Sequence, residues 1–132
     1  MKQPVFTGAA VAIITPMHAD GTVNFEELGR IIDDQIAHGT DAIVICGTTG
    51  ESAALSHEVH VECIRFAVKH TAKRVPVIAG TGSNDTAFAI AISKEAEEAA
   101  EDSLLLATPY SNKISQHGVI APSTSIDNTV TL

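Results

Sequence analysis

With 132 residues, 45% of them apolar and 18% charged, the chain has the composition of one globular domain rather than of a disordered segment. Sixteen acidic against eight basic side chains give a formal charge of -8 without a basic cluster, which excludes a nucleic-acid partner. No apolar run reaches the roughly 18 residues of a membrane span. The two cysteines, Cys46 and Cys63, lie in apolar surroundings typical of reduced, buried thiols, so we expect a soluble cytoplasmic protein.

Short runs of aliphatic and β-branched residues recur along the chain and predict four β-strands. They are separated by about thirty residues each and lie at residues 10–14, 42–45, 75–79 and 104–107. Because these runs are apolar at consecutive positions, we expect strands buried on both faces, as in a parallel sheet.

Helical patterns fill the intervals between the strands. The first helix is expected to begin at Asn24 and end at Gly39, and the second to begin at Ser56. A third is expected near Asn84 or Asp85, and a fourth after Ser115. The residues expected to face the core are Phe25, Leu28, Ile31, Ile32 and Ile36 in the first helix, His60, Cys63, Ile64, Ala67 and Val68 in the second, and Ala89, Ile90, Ser93, Ala96 and Ala100 in the third.

This alternation predicts an α/β fold with a parallel sheet covered by helices. Four such units equal half of a (β/α)8 TIM barrel, or a small doubly wound sheet, and the pattern leaves both open. Polar loops follow each predicted strand, at residues 15–16, 47–52, 80–84 and 108–112. Because the carboxyl ends of parallel strands meet at one rim, we expect these four loops to lie together.

Thr48 and Thr49 lie in a glycine-flanked loop directly after the second predicted strand. Two hydroxyls and the loop N–H groups could bind a small carboxylate, and one threonine could pass a proton. The alternative is an ordinary turn with a capping hydroxyl. For Glu51, an anchoring hydrogen bond to the loop is favoured over a role as a base.

Nucleotide and metal sites are not expected. Residues 80–84 lack the full Gly-x-Gly-x-x-Gly spacing, and residues 47–52 lack the lysine of a P-loop. His57 and His60 are three residues apart, whereas the zincin motif needs histidines at i and i+4, so packing or surface roles are favoured.

Two residues at the last polar loop have side chains of types that take part in catalysis. Tyr110 is the only tyrosine and could act as an acid, a base or a hydrogen-bond donor, or as an aromatic plug at a contact. Lys113 lies in the same loop, where an exposed ammonium lacks the desolvation that makes lysine nucleophilic. We therefore do not expect Lys113 to form an imine.

An ordered set of motifs resembles the dihydrodipicolinate synthase (4-hydroxy-tetrahydrodipicolinate synthase) family, whose members are (β/α)8 barrels. The resemblance covers most of the chain. The motifs that carry it are Phe6-Thr7-Gly8, Ala12-Ile13-Ile14-Thr15-Pro16, Asp20-Gly21, Gly47-Thr48-Thr49-Gly50-Glu51-Ser52, Ile78-Ala79-Gly80-Thr81-Gly82-Ser83-Asn84 and Thr108-Pro109-Tyr110.

The resemblance implies a lyase that condenses pyruvate with L-aspartate 4-semialdehyde through a Schiff base, without a cofactor, in lysine and diaminopimelate biosynthesis. Thr49 would bind the pyruvate carboxylate, and Thr48 would belong to a proton relay. The resemblance also implies a homo-oligomer with a lysine-effector site near a subunit contact. Phe88 stands where many regulated members carry glutamate, which argues against inhibition by lysine. The matching effector positions are Ser52, Ala53, His57, Asn84 and Tyr110.

Two departures from the family pattern limit what it implies. Ser111 stands where the family has a second tyrosine that completes a neighbour's relay. Serine keeps a hydroxyl, so Ser111 is a catalytic candidate beside Thr48, although serine reaches less far. Family chains are about twice as long, and their Schiff-base lysine lies on a later strand. We therefore expect residues 1–132 to be a single N-terminal half-barrel segment.

Such a segment would expose two sheet edges and an inner apolar face. A catalytically inactive fragment, or a module that pairs with itself, is therefore a second hypothesis beside the synthase. A small doubly wound anion-binding domain is a third.

Overall fold

The computed structural model describes residues 4–99, 103–106 and 123–128 of the chain. Within them, strands alternate regularly with helices. The strands are β1 (Ala10–Ala12), β2 (Ala42–Ile45), β3 (Val77–Gly80) and β4 (Ser103–Leu105), and the helices are α1 (Phe25–Ala37), α2 (His57–Thr71) and α3 (Thr86–Glu98). A 3-10 turn, Ser52–Ala54, precedes α2, and residues 123–127 form a short helical segment.

The four strands form one parallel sheet in the order β1-β2-β3-β4. Each strand therefore pairs with the next one along the chain, and each crossover is a helix. A doubly wound sheet instead reverses its strand order at a switch point. The observed order is that of the first four units of a (β/α)8 barrel, so the doubly wound alternative is wrong.

The two faces of the sheet differ in what covers them. On one face, alternate residues of β2 and β3 pack with the three helices in a single core; from the strands these are Ile43, Ile45, Val77 and Ala79. On the other face the strand register places Val44 beside Ile78, and Gly80 beside Leu105. Val44 is 8% exposed and Leu105 is 45% exposed, so this second face is open to solvent at the β4 edge.

The helix starts follow the sequence signals. The Asn24 side chain accepts a hydrogen bond from the N–H of Glu27, and the Ser56 hydroxyl accepts one from the N–H of Val59. Asp85 rather than Asn84 caps α3, because its carboxylate accepts from the N–H groups of two first-turn residues. Such caps satisfy N–H groups that a helix leaves without partners at its start.

Several element predictions need correction. β1 ends at Ala12 rather than at residue 14, and β4 begins at Ser103 rather than at residue 104. β3 begins at Val77 rather than at residue 75, because Pro76 has no N–H group to donate to the ladder. In α3, Ile92 is fully buried whereas Ile90 is only half-buried. The predicted helix after Ser115 lies largely outside the described residues. None of the described helices has the length and apolarity that crossing a membrane would require.

Candidate active site

Polar loops follow the carboxyl ends of the first three strands and meet at one rim of the sheet. The loop after β2 contacts both neighbours: Gly50 touches Thr15 after β1, and Cys46 touches Gly80 at the end of β3. The predicted fourth loop, residues 108–112, lies outside the described residues.

The loop after β2 is built from two successive tight turns. The N–H of Gly50 donates to the carbonyl of Gly47 at 3.0 Å, and the N–H of Glu51 donates to the carbonyl of Thr48 at 3.0 Å. Thr48 and Thr49 occupy the tip of these turns and are exposed. The loop thus presents two adjacent hydroxyls to the rim while its own backbone is hydrogen-bonded internally.

Thr15 fixes this loop from the end of β1. Its buried hydroxyl, 5% exposed as a residue, donates to the Gly50 carbonyl at 2.7 Å. Glu51, the anchor favoured from the sequence, is instead exposed, and its side chain does not cap the 3-10 turn that follows. The anchoring role therefore belongs to Thr15, which the sequence marked only by its place at a strand end and in the motif Ala12-Ile13-Ile14-Thr15-Pro16.

The end of β3 packs directly against the start of the same loop. A Cβ atom added to Gly80 would lie 2.4 Å from the carbonyl oxygen of Cys46, so only glycine allows this approach. The His60 ring on α2 then bonds the Gly80 carbonyl through Nε2 at 2.8 Å. The loop is consequently positioned by β1, β3 and α2 together.

A small cavity of about 30 Å³ lies beside the loop, between β2, β3 and β4. Thr48 and Ser52 are among its lining residues, and Thr49 is not. Such a volume holds about one water molecule rather than an organic acid. At the rim, the loop can supply the two exposed threonine hydroxyls to a carboxylate.

His60 is a buried imidazole, and burial disfavours its protonated, charged form. Burial lowers its pKa from the ordinary value of 6.5, although the bond to the Gly80 carbonyl acts in the opposite direction. Its Nδ1 atom has no hydrogen-bond partner among the described residues. His60 is thus neutral at pH 7, with the Nε2 hydrogen donated to Gly80.

The depressed pKa of His60 predicts a loss of stability in mild acid. The unfolded chain takes up the proton near pH 6.5, while the folded chain resists it, so the free energy of unfolding falls as the pH drops below about 6.5. Urea unfolding at about pH 7.5 and pH 5.5 measures this fall. We expect His60→Gln to show a smaller difference between the two pH values than the parent. A His60→Gln variant that loses as much stability in acid as the parent would contradict the assignment of the effect to His60.

These observations define half of a (β/α)8-barrel with a hydroxyl-bearing loop at its carboxyl rim. The sequence profile of the dihydrodipicolinate synthetase family matches residues 5–126, so the chain belongs to this family. The 4-hydroxy-tetrahydrodipicolinate synthase of Lachnoclostridium phytofermentans is 59% identical over 128 residues, and that of Neisseria meningitidis is 54% identical over 125 residues. These matches cover 97% and 90% of this chain, but only 44% and 43% of the relatives.

Solved structures show the same relationship. The dihydrodipicolinate synthase of Aquifex aeolicus superposes with a TM-score of 0.89 at 44% identity, covering 95% of this chain and 42% of that one. The enzyme of Acinetobacter baumannii, solved in complex with pyruvate, gives 0.89 at 42% identity and covers 95% and 43% of the two chains. The chain therefore spans less than half the length of these relatives and corresponds to their first barrel units.

His57 and His60 bind different partners rather than a shared one. The Nε2 atom of His57 lies 2.5 Å from a carboxylate oxygen of Glu95 on α3, and its ring meets Phe88 edge-on at a centroid distance of 5.3 Å. Nothing in the sequence pattern pointed to Glu95, since the two residues are on different helices.

The effector site implied by the resemblance stays a prediction. Of its five residues, Ser52 is buried in the 3-10 turn, Ala53 and Asn84 are exposed, and His57 already contacts Phe88. Tyr110 lies outside the described residues, as do Ser111 and Lys113, so their predicted roles stay predictions too.

Proposed function

We propose that residues 1–132 supply the N-terminal half of a 4-hydroxy-tetrahydrodipicolinate synthase. This lyase condenses pyruvate with L-aspartate 4-semialdehyde in lysine and diaminopimelate biosynthesis. The observation that carries the proposal is the Thr48–Thr49 turn, held at the barrel rim by Thr15 and Gly80 in a chain of this family. The two unbridged, buried cysteines support a place in the cytoplasm, where thiols stay reduced.

In the proposed mechanism the described residues bind and orient substrate and move protons. The Thr49 hydroxyl, exposed at the loop tip, donates to the pyruvate carboxylate, where a hydrogen bond to a charged group is stronger than a neutral one. Thr48 lines the small cavity with Ser52, and its hydroxyl passes a proton during imine and enamine steps. Ser111, outside the described residues, keeps a hydroxyl for this relay at the position where the family has its second tyrosine, although serine reaches less far.

The Schiff-base lysine of the proposed reaction belongs to the second half of the barrel. The lysines among the described residues, Lys69, Lys73 and Lys94, are all exposed, and an exposed ammonium lacks the desolvation that makes lysine nucleophilic. We therefore expect the 132-residue chain alone to gain no mass when it is incubated with pyruvate and borohydride.

A chimera tests the proposal. The 132 residues replace the matched N-terminal segment of the Lachnoclostridium phytofermentans synthase, which supplies the remaining barrel units. We expect this chimera to condense pyruvate with aspartate semialdehyde and to trap pyruvate on one lysine with borohydride. A folded chimera with neither property would overturn the proposal.

Thr49→Val in the chimera should raise the KM for pyruvate about tenfold, because the change removes one hydrogen bond to a carboxylate, worth about 1.4 kcal/mol. Steady-state kinetics measure this value. Thr49→Ser is the matched control, since it keeps the hydroxyl and should stay within about threefold of the parent. Equal KM values for the valine and serine variants would show that Thr49 does not bind the carboxylate.

Exposed apolar residues at the two edges of the sheet favour a second candidate, a half-barrel that assembles with another half-barrel, including a copy of itself. Leu105 on β4 is 45% exposed and Ile14 after β1 is 54% exposed, so apolar surface lies at both edges of the sheet. A second parallel half-barrel would pair both edges and bury this surface.

Sedimentation equilibrium of the purified chain tests this assembly. We expect a dimer or larger assembly at micromolar concentration, and Leu105→Lys should weaken it by placing a charge at the edge strand. A stable monomer would argue against self-assembly and would leave the chimera test unaffected.

A further inference from the structure

Another cavity lies between the segment that follows β1 and the start of α2. Its volume is about 500 Å³, within the range of roughly 300–1,000 Å³ that is usual for small-molecule sites. Its lining residues lie within residues 17–25 and 51–62. Backbone hydrogen bonds hold the first wall: the N–H of His18 donates to the carbonyl of Thr22 at 2.8 Å, and the N–H of Asn24 donates to the carbonyl of Pro16 at 2.8 Å. Ordered backbone therefore frames the cavity.

Five large apolar side chains line this cavity and remain partly open to solvent. Met17 is 39% exposed, and Val23, Phe25, Leu55 and Val59 are half-buried. A compound with an apolar body would release water from these side chains, which favours binding. The π face of an aromatic ring such as that of Phe25 also attracts cations.

Two carboxylates share the cavity with these apolar side chains. Glu51 and Glu62 both line it and are exposed. Neither makes a hydrogen bond or an ion pair with another described residue, whereas Glu95 is paired with His57. No lysine, arginine or histidine is among the described residues that line the cavity. Because apolar walls of low dielectric focus the field of such like charges, the cavity attracts a positive group.

The helix starts beside the cavity do not reverse this preference. The N-terminus of a helix attracts anions through its free N–H groups. Here the Asn24 side chain already accepts a hydrogen bond from the N–H of Glu27, and the Ser56 hydroxyl accepts one from the N–H of Val59. Glu58 adds a negative charge to the first turn of α2. An anionic compound would therefore meet occupied donors and repelling carboxylates.

We propose that this cavity is a binding site for a small primary ammonium compound with an apolar body, of about the size of 2-phenylethylammonium. The ammonium group pairs with Glu51 and Glu62, and the apolar body contacts Met17, Phe25 and Leu55. Charge complementarity selects the ammonium group, and the apolar walls select the body.

This site differs from both sites described above. Neither Thr48 nor Thr49 lines the cavity. The same holds for the four described positions of the implied lysine-effector site, which are Ser52, Ala53, His57 and Asn84. An ammonium compound bound in this cavity would therefore occupy neither of those sites.

NMR titration of the isotope-labelled 132-residue chain tests the site. At neutral pH and low ionic strength, 2-phenylethylammonium chloride should shift the amide signals of residues 17–25 and 51–62 in a saturable way. We expect a Kd of about 1 mM, as for a weakly bound compound of this size. The neutral analogue 2-phenylethanol should bind about tenfold more weakly, and the anion 3-phenylpropanoate more weakly still.

Glutamine substitutions test the two carboxylates. Glu51→Gln and Glu62→Gln should each weaken binding about threefold, and the double variant about tenfold, because each change removes one partly solvated charge pair. Glu98→Gln is the matched control, since it changes the net charge equally but replaces an exposed residue of α3 that does not line the cavity. It should keep the Kd of the parent within about twofold. All three side chains are exposed, so the variants should keep the dispersed amide spectrum of the parent.

Several results would overturn the proposal. They are the lack of saturation at millimolar concentrations, equal affinities for the ammonium compound and the alcohol, and saturable shifts centred outside residues 17–25 and 51–62. Equal losses of affinity in Glu62→Gln and Glu98→Gln would also overturn it, because they would reflect net charge alone. The titration does not use synthase activity, so this proposal and the proposed function can fail separately.

Discussion

Replacement of Gly80 by alanine is expected to lower the free energy of unfolding by about 3 kcal/mol, the upper end of the usual cost of overpacking. The new Cβ would lie 2.4 Å from the carbonyl oxygen and 2.7 Å from the carbonyl carbon of Cys46, and 2.8 Å from the nitrogen of Gly47. All three are backbone atoms of a neighbouring strand end. They can move away only if β2 and β3 separate where they carry the loop.

Gly47→Ala is the matched control for this substitution. A Cβ at Gly47 would meet only a side-chain carbon of Val44 at 3.6 Å, an ordinary van der Waals contact. Urea unfolding of both variants should therefore show a large loss for Gly80→Ala and a change below about 1 kcal/mol for Gly47→Ala. Equal losses would mean that the close approach of β3 to Cys46 is not what lowers the free energy of unfolding in Gly80→Ala.

Thr15→Val should cost about 2 kcal/mol, because valine has nearly the shape of threonine but cannot donate a hydrogen bond. The buried Gly50 carbonyl would lose the donor that lies 2.7 Å away. In the chimera, the same variant should also raise the KM for pyruvate, since the loop that carries Thr49 would no longer be fixed to β1. Urea unfolding and steady-state kinetics measure the two effects.

Thr15→Ser distinguishes the effect of the hydroxyl from the effect of the methyl group. Serine keeps the donor, so we expect the KM for pyruvate of the Thr15→Ser chimera to stay near that of the parent chimera. This should hold even though the substitution removes a buried methyl group worth about 1 kcal/mol of stability. If serine and valine raised KM equally, the hydrogen bond to Gly50 would not be what positions the loop.

Local sequence signals were sufficient to locate most elements of this half-barrel. Asn24, Ser56 and Asp85 begin helices where their side chains bond first-turn N–H groups, a short-range interaction visible in sequence. The fully apolar run Ala42–Ile45 became a buried strand with the predicted bounds. These features depend on neighbouring residues, and pattern reasoning captures them well.

The face that α3 buries was less predictable. Residues 87–92 of this helix are apolar without interruption, so hydrophobic periodicity does not indicate which face of the helix is buried. The buried bond between the hydroxyls of Ser93 and Thr81, at 2.9 Å, instead fixes how the helix sits on β3. Ile92 is therefore fully buried and Ile90 lies at the edge of the contact.

The sequence by itself determined the strand and helix repeat, the helix caps and the threonine pair that follows β2. Only the tertiary structure decided the strand order that excludes a doubly wound sheet, the role of Thr15 in holding the loop and the close approach of Gly80 to Cys46. The physical reason is the range of the interactions. Periods and caps arise from residues within a few positions of each other, whereas these contacts join residues that only the packing of strands and helices brings together.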